Sequence, residues 1–390
     1  MAPLVTYETA SCPYFEKAEC RSCSLLHITD GTRVSSKESS VLSILEHKGV
    51  RPKAIEPLHI PLHPWGSRHK VKMNVTGSPQ APCIGVVKAD KTATDLVHCP
   101  LTPPHIQRLL EDLRRYITEL SLVPYDIIER RGELKNLIVM SNQQATEGIL
   151  RFVLRSTEAI PRIKKRIHDI QAVHPWVTVI TCNIQPLPAA ILEGPEEVVL
   201  TERSLIEEQY GSLTLSFAPQ SFMQVTPEIA GALYQRAASY VKEQSYTSAL
   251  DLFCGVGGFS LSIAPFVSHV IGVEISPQAI QSAALSAQKL GFSHVQFYAD
   301  DTERFLSHEL KQKPDLIVTN PPRRGLSESI ISLLMSLDPR TILYSSCSPE
   351  TFARDCELLS SMYSLERISL FDMFAMTEHC EVLGVLNRIK

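Results

Sequence analysis

The sequence predicts an α/β protein whose C-terminal part is a doubly wound, Rossmann-like sheet of seven strands, and three observations carry that prediction. Ala249-Leu250-Asp251-Leu252-Phe253 is an apolar run that ends in Cys254-Gly255-Val256-Gly257-Gly258, after which Ser260 to Phe266 have helical spacing; this is strand, tight turn and helix. A second apolar stretch, His269 to Glu274, ends in an acid roughly 20 residues further on, where doubly wound folds hold a ribose diol. From residue 216 onward strand and helix patterns alternate regularly, as a sheet covered by helices on both faces requires.

The turn after the first strand suits a nucleoside ligand. Gly255 lets the backbone approach a ligand closely, and the Asp251 carboxylate can accept hydrogen bonds from an amine or from the amides of its own turn. The glycines form G-x-G-G and lack the third glycine that a pyrophosphate would use. Asp301 follows Tyr298-Ala299-Asp300 at the end of a third strand, within reach of an adenine amino group, and Asp300 could exchange roles with it. Asn320, opening Asn320-Pro321-Pro322-Arg323-Arg324, completes an ordered set with Asp251, Glu274 and Asp301.

The next strand ends in Tyr344-Ser345-Ser346-Cys347-Ser348-Pro349. A thiol at the end of a core strand beside a cofactor pocket reads as a nucleophile, against the bland reading of a small buried hydrophobe. Cys182, Cys254, Cys356 and Cys380 take the bland reading.

At the other end, Cys12, Cys20 and Cys23 are spaced C-x7-C-x2-C, and Cys99 lies far downstream in Val97-His98-Cys99-Pro100. Four thiolates suit zinc or an iron-sulfur cluster, and spacing does not decide between them. Cys83 and, more weakly, His98 compete as ligands, and a disulfide or unpaired thiols are the bland alternative.

The chain has 390 residues, ten cysteines and a formal net charge of -4. That is too few cysteines for a disulfide scaffold, and the thiol chemistry points to a reducing, cytoplasmic compartment. Met1 to Glu8 lacks the pattern of a signal peptide, and no apolar run is long enough to cross a bilayer. A global charge sum can hide local patches. Arg68, Lys70 and Lys72 alternate along a strand, Arg130, Arg131 and Lys135 form a second basic group, and Arg162, Lys164, Lys165 and Arg166 form a third with the look of solvated surface. Phe222, in Pro219-Gln220-Ser221-Phe222, could stack on a base or pack in a core.

Three parts follow: residues 1–105, a cysteine-rich arm with short strands; 106–215, a central α/β domain with a helix over 106–120 and strands over 137–140, 150–154 and 177–184; and 216–390, the doubly wound domain. Internal repeats and low-complexity segments are absent.

From these motifs the chain resembles S-adenosylmethionine-dependent methyltransferases. Arg323 stands where amino-group methylases carry an aromatic residue, and Cys347 does not directly follow Pro-Pro as in DNA cytosine-C5 enzymes. The arrangement resembles RNA uracil-C5 methyltransferases, and the resemblance covers essentially the whole chain. It implies Cys347 as nucleophile and Glu381 as general base, from Phe371-Asp372-Met373-Phe374-Ala375-Met376-Thr377-Glu378-His379-Cys380-Glu381, with Glu378 and His379 as fallback bases. Ala375 replaces the family's proline, which predicts a less rigid loop, and Ser348 replaces an asparagine. By the same resemblance Gln224, Phe253, Glu274 and Asn320 contact S-adenosylmethionine, while Asp251, Gly255 and Asp301 are added on physical grounds. It further implies a 4Fe-4S cluster on Cys12, Cys20, Cys23 and Cys99, 23S ribosomal RNA as substrate, and RNA contacts for Arg68 to Lys72 and Arg130 to Lys135. No protein partner is evident. A transfer RNA uracil methyltransferase, a non-catalytic RNA-binding protein and a small-molecule methyltransferase are the competing classes.

Overall fold

In the computed structural model, residues 11–188 and 191–389 are described; the Met1 to Glu8 stretch read for a leader lies outside them. Two large sheets organise the chain. Among the described residues the C-terminal sheet contains eight strands in the order Ala54–Ile55, Tyr363–Phe371, Glu381–Arg388, Thr341–Ser346, Leu316–Thr319, Ser248–Leu252, His269–Glu274, Val295–Ala299. Seven come from the expected doubly wound domain, and the eighth, Ala54–Ile55, is lent by the N-terminal part and runs parallel to Tyr363–Phe371. Glu381–Arg388 is antiparallel to both of its neighbours. Strand order reverses beside Ser248–Leu252, which pairs in parallel with both His269–Glu274 and Leu316–Thr319. In open α/β sheets ligands bind beyond the carboxyl ends of the strands at such a switch point.

The central sheet runs Ala93–Asp95, Ala81–Val87, Lys70–Ser78, Leu134–Ser141, Gly148–Leu154, Val177–Ile184, Glu196–Val199. Helix Pro104–Glu119 covers it with Ile106, Leu109, Leu110, Leu113 and Ile117, all buried, one apolar face at helical spacing. Leu134–Ser141 and Gly148–Leu154 are buried at every position. The buried ends include Lys135, whose Nζ donates to Gln185 Oε1 and the Leu187 carbonyl oxygen and lies over the Tyr125 ring. Lys135 is therefore committed to the fold, while Arg130 and Arg131 are exposed beside exposed Ile127 and Ile128. Arg162 and Arg166 pair with Glu158 and Asp169 at the surface.

Residues 30–47 form a long helix, Asp30–His47, within the stretch expected to hold short strands. Its Val41 and Leu45 join the same buried cluster as Phe352, Cys356 and Leu359 of helix Pro349–Leu359, so the N-terminal part packs onto the C-terminal sheet. Among the described residues no helix is long and apolar enough to cross a membrane.

Candidate active site

The carboxyl ends of the parallel strands gather Asp251, Phe253, Glu274, Asp300, Asp301 and Asn320 along one edge of the sheet, because the parallel register sets Leu252 beside Val273 and Thr319, and Glu274 beside Ala299. Asp251 is fully buried; its Oδ2 accepts hydrogen bonds from Ser260 N at 2.9 Å and Ser260 Oγ at 2.5 Å, and its Oδ1 has no partner within the protein. Burial pushes its carboxyl up to about 7. Phe253, a non-glycine residue, adopts φ of 59°, a costly conformation that clusters at ligand sites. A Cβ at Gly255, whose φ is 54°, would meet nothing within 4 Å, so the turn borders open space. Glu274 accepts from Gly255 N at 3.3 Å and from Ser276 N at 3.0 Å. An unpaired buried acceptor, a strained turn and open space at the glycine together fit a bound nucleoside. Asp301 Oδ1 caps the short helix Thr302–Arg304 by accepting from Glu303 N and Arg304 N, and Asp300 pairs with Arg304 at 2.6 Å.

Gln224 lies in the loop that follows Phe217. His69 N donates to the Val225 carbonyl oxygen at 2.9 Å, and Lys70 Nζ donates to that of Ser221 at 3.1 Å. Phe222 projects from this loop with 67% of its surface exposed, and Lys70 Nζ stands 5.8 Å from its ring centroid. The core reading of Phe222 is thereby set aside.

Strand Thr341–Ser346 pairs with Glu381–Arg388 as far as Ser346–Val382, leaving Cys347 and Glu381 as the next residues on the two strands. Glu381 is buried, 4% exposed, and its Oε1 accepts from Ser345 Oγ at 2.5 Å. Burial raises its carboxyl to about 7 against the lowering effect of Ser345. Ser345 in turn accepts from Asn320 Nδ2 at 3.3 Å, which ties the carboxyl edge of the sheet to the acid. The Cys347 thiol is raised by burial and by the Glu381 charge, and Arg323 opposes this by charge and a hydrogen bond. Arg323 Nη2 also lies 3.5 Å from His379 Nε2. Ser348 Oγ accepts from Thr351 N at 3.3 Å, capping the helix that begins after Cys347, so serine serves where the family has asparagine. Glu378 and His379 are exposed.

Sequence reasoning passed over Ser345 and Arg323. Ser345 was within reach of it, since residues two apart on a strand share a face and Ser345 precedes Cys347 by two.

Cys12, Cys20, Cys23 and Cys99 line one cavity of about 160 Å³ together with Arg68, Lys70 and Lys72, and all four are free thiols. Cys23 is raised to about 11 by burial, with Arg68 opposing and Cys99, Cys20 and Cys12 adding to the rise. Among the described residues no three His, Cys, Asp or Glu groups are placed to hold a single metal ion. Cys83 is not part of this lining, and His98 pairs with Glu111 at 3.3 Å. The basic strand therefore borders the thiol cavity, and Lys72 is paired with Glu193 at 2.6 Å.

The fold, with an open edge at its switch point that suits a nucleoside, is that of an α/β methyltransferase, and known proteins narrow the class. Residues 200–389 match the family model described as tRNA (Uracil-5-)-methyltransferase. The 23S rRNA (uracil(747)-C(5))-methyltransferase RlmC of Shewanella loihica is 39% identical over 382 residues, covering 97% of this chain and 99% of that protein. Its namesake in Proteus mirabilis is 38% identical over 375 residues, with 96% and 98% covered. The chain belongs to the RNA uracil-C5 methyltransferase family. Its fold is shared with the tRNA (uracil-54, C5)-methyltransferase of Pyrococcus abyssi, solved with S-adenosyl-L-homocysteine, at a TM-score of 0.77, 22% identity and coverage of 93% and 85%.

Proposed function

We propose that the protein methylates carbon 5 of uracil 747 in 23S ribosomal RNA in the cytoplasm, with S-adenosylmethionine as donor. The reading rests above all on one observation: Cys347 and the buried Glu381 follow the last pair of one ladder, in a chain that matches the 23S enzymes over nearly its full length.

Carbon 5 of uracil is too weak a nucleophile to take a methyl group unaided. Addition of the Cys347 thiolate to C6 makes the ring an enolate whose C5 is reactive. Arg323, whose positive charge opposes the rise of the thiol, favours the thiolate form. Bound S-adenosylmethionine supplies an electrophilic methyl group. Once C5 has accepted the methyl, Glu381 takes the C5 proton, the C5=C6 double bond re-forms and the Cys347 thiolate leaves. A carboxyl near 7 suits this exchange at neutral pH.

Gln224, Phe253, Glu274 and Asn320 hold the methyl donor, with Asp251, Gly255 and Asp301 shaping the same edge. Cys12, Cys20, Cys23 and Cys99 would hold a 4Fe-4S cluster, which would cross-link the N-terminal arm to the segment around Cys99. The target uridine must leave its stack to reach Cys347, and Phe222, Arg130 and Arg131 offer exposed stacking and phosphate contacts.

Purified protein is incubated with unmodified 23S RNA and methyl-labelled S-adenosylmethionine, and the product is mapped by mass spectrometry. The proposal expects one 5-methyluridine, at position 747, that vanishes in Cys347→Ala. Product with transfer RNA and none with 23S RNA would overturn the substrate.

A further inference from the structure

Lys37 lies on helix Asp30–His47, far in sequence from the residues that line the site. Its Nζ donates to Asp372 Oδ1 at 2.5 Å and to the carbonyl oxygens of Phe374 and His379, each at 3.1 Å. The side chains of Lys37 and Asp372 are 1% and 2% exposed. An ammonium carries three donors, and all three are spent on the segment 372–380, the loop between strands Tyr363–Phe371 and Glu381–Arg388. Phe374 stands near the start of that loop, and His379 two residues before Glu381.

A buried ion pair is weak evidence for stability, because an apolar pair of the same volume often serves the fold as well. An apolar pair, however, could not bind two loop carbonyls at once. The loop also has Ala375 where the pattern it resembles has a proline, and among the described residues its other backbone ties to separate elements are Leu25 N to the Met376 carbonyl oxygen at 3.1 Å, Thr226 Oγ1 to that of Met373 at 2.9 Å and Asp372 N to that of His59 at 2.8 Å. The helix that carries Lys37 packs through Val41 and Leu45 into the cluster containing Phe352 and Leu359, on the helix that begins just after Cys347. One helix thus touches both the loop that leads into Glu381 and the helix that begins just after Cys347.

We propose that Lys37 is a positioning residue: it staples the 372–380 loop so that Glu381 is held against the ring bound to Cys347. This rests on the reading of Glu381 as the base. It predicts a specific lesion, because the loop runs directly into Glu381, the first residue of its strand, while Cys347 and Asn320 stand on other elements. Loss of the staple slows removal of the C5 proton more than methyl transfer, and the methylated RNA stays attached to Cys347.

The test compares wild type, Glu381→Gln, Lys37→Met and the double variant Lys37→Met with Asp372→Asn, the last leaving no unpaired buried charge. Each is given 23S RNA and methyl-labelled S-adenosylmethionine. Label migrating with protein in denaturing gels, turnover, binding of S-adenosylmethionine and the unfolding midpoint are read in parallel. Misplacement by about 1 Å can cost on the order of 100-fold in rate, so turnover in both Lys37 variants falls by roughly 10- to 100-fold, the labelled adduct accumulates as in Glu381→Gln, and donor affinity is unchanged. If Glu381→Gln traps adduct and the folded double variant does not, Lys37 has no positioning role. If Glu381→Gln itself binds RNA, transfers methyl and releases product, the base assignment falls and the role of Lys37 with it.

Discussion

Ser345 donates its hydroxyl to Glu381 Oε1 at 2.5 Å while accepting from Asn320 at 3.3 Å. One strand residue therefore links Asn320, at the carboxyl edge of the sheet, to the acid opposite Cys347. Ser345 lowers the Glu381 carboxyl while burial raises it to about 7. In Ser345→Ala that restraint is gone, and the carboxyl rises further. Turnover at pH 7 is expected to drop several-fold, on the order of one pKa unit's worth, and to recover as pH rises and the base ionises. A kcat profile between pH 6 and pH 9 checks this, and an unchanged acidic limb would separate Ser345 from the base.

Arg323 is the one group whose charge and hydrogen bond both favour the Cys347 thiolate, whereas burial and Glu381 oppose it. Arg323→Met removes the cation next to the thiol. Alkylation of Cys347 in the free enzyme is expected to shift to higher pH, and mass mapping of the labelled peptide reads it without RNA or methyl donor.

Glu381 also makes a stability prediction. Its folded value, about 7, lies above the ordinary 4.5, so between these limits the folded state keeps a proton that the unfolded state has lost. Stability therefore falls as pH rises through that window. At 1.36 kcal/mol per unit the loss approaches about 3 kcal/mol. Glu381→Gln cannot titrate, so its unfolding midpoint should gain on that of wild type from pH 5 to pH 8. Parallel curves would mean that the acid is not held neutral by burial.

The strand, turn and helix after residue 248, the acid ending His269–Glu274 and the strand Val177–Ile184 were legible because each is a local signal: period, glycine or terminal charge. Helix Asp30–His47 was not, because its sequence DGTRVSSKESSVLSILEH has a weak apolar face and only tertiary packing on helix Pro349–Leu359 decides it. Ala54–Ile55 is too short to announce itself. Cys347, Glu381 and Asn320, which the structure brings together, were singled out from motifs. Lys37 was not, because its three acceptors lie more than three hundred residues away and are mostly backbone. Lys135 shows the reverse: it looked like a phosphate ligand beside two arginines and is turned inward on Gln185.

Gly255 offers a test of the cofactor edge alone. A side chain there enters open space at φ of 54°, so Gly255→Val strains the turn by roughly 1–2 kcal/mol without clashing with the protein. Calorimetric titration with S-adenosylmethionine should show affinity at least about tenfold weaker, the equivalent of 1.4 kcal/mol, in a variant whose fold is retained. Unaltered affinity would move the cofactor away from this turn.

The most direct test of the chemistry follows the proton that must leave carbon 5. With 23S RNA bearing tritium at C5 of uridine and methyl-labelled S-adenosylmethionine, wild type should release one tritium for each methyl transferred. Cys347→Ala should do neither, and Glu381→Gln should transfer methyl once per enzyme while retaining the tritium. Tritium release in step with methylation in the Glu381 variant would contradict its role as base, and methylation by Cys347→Ala would contradict attack by the thiolate.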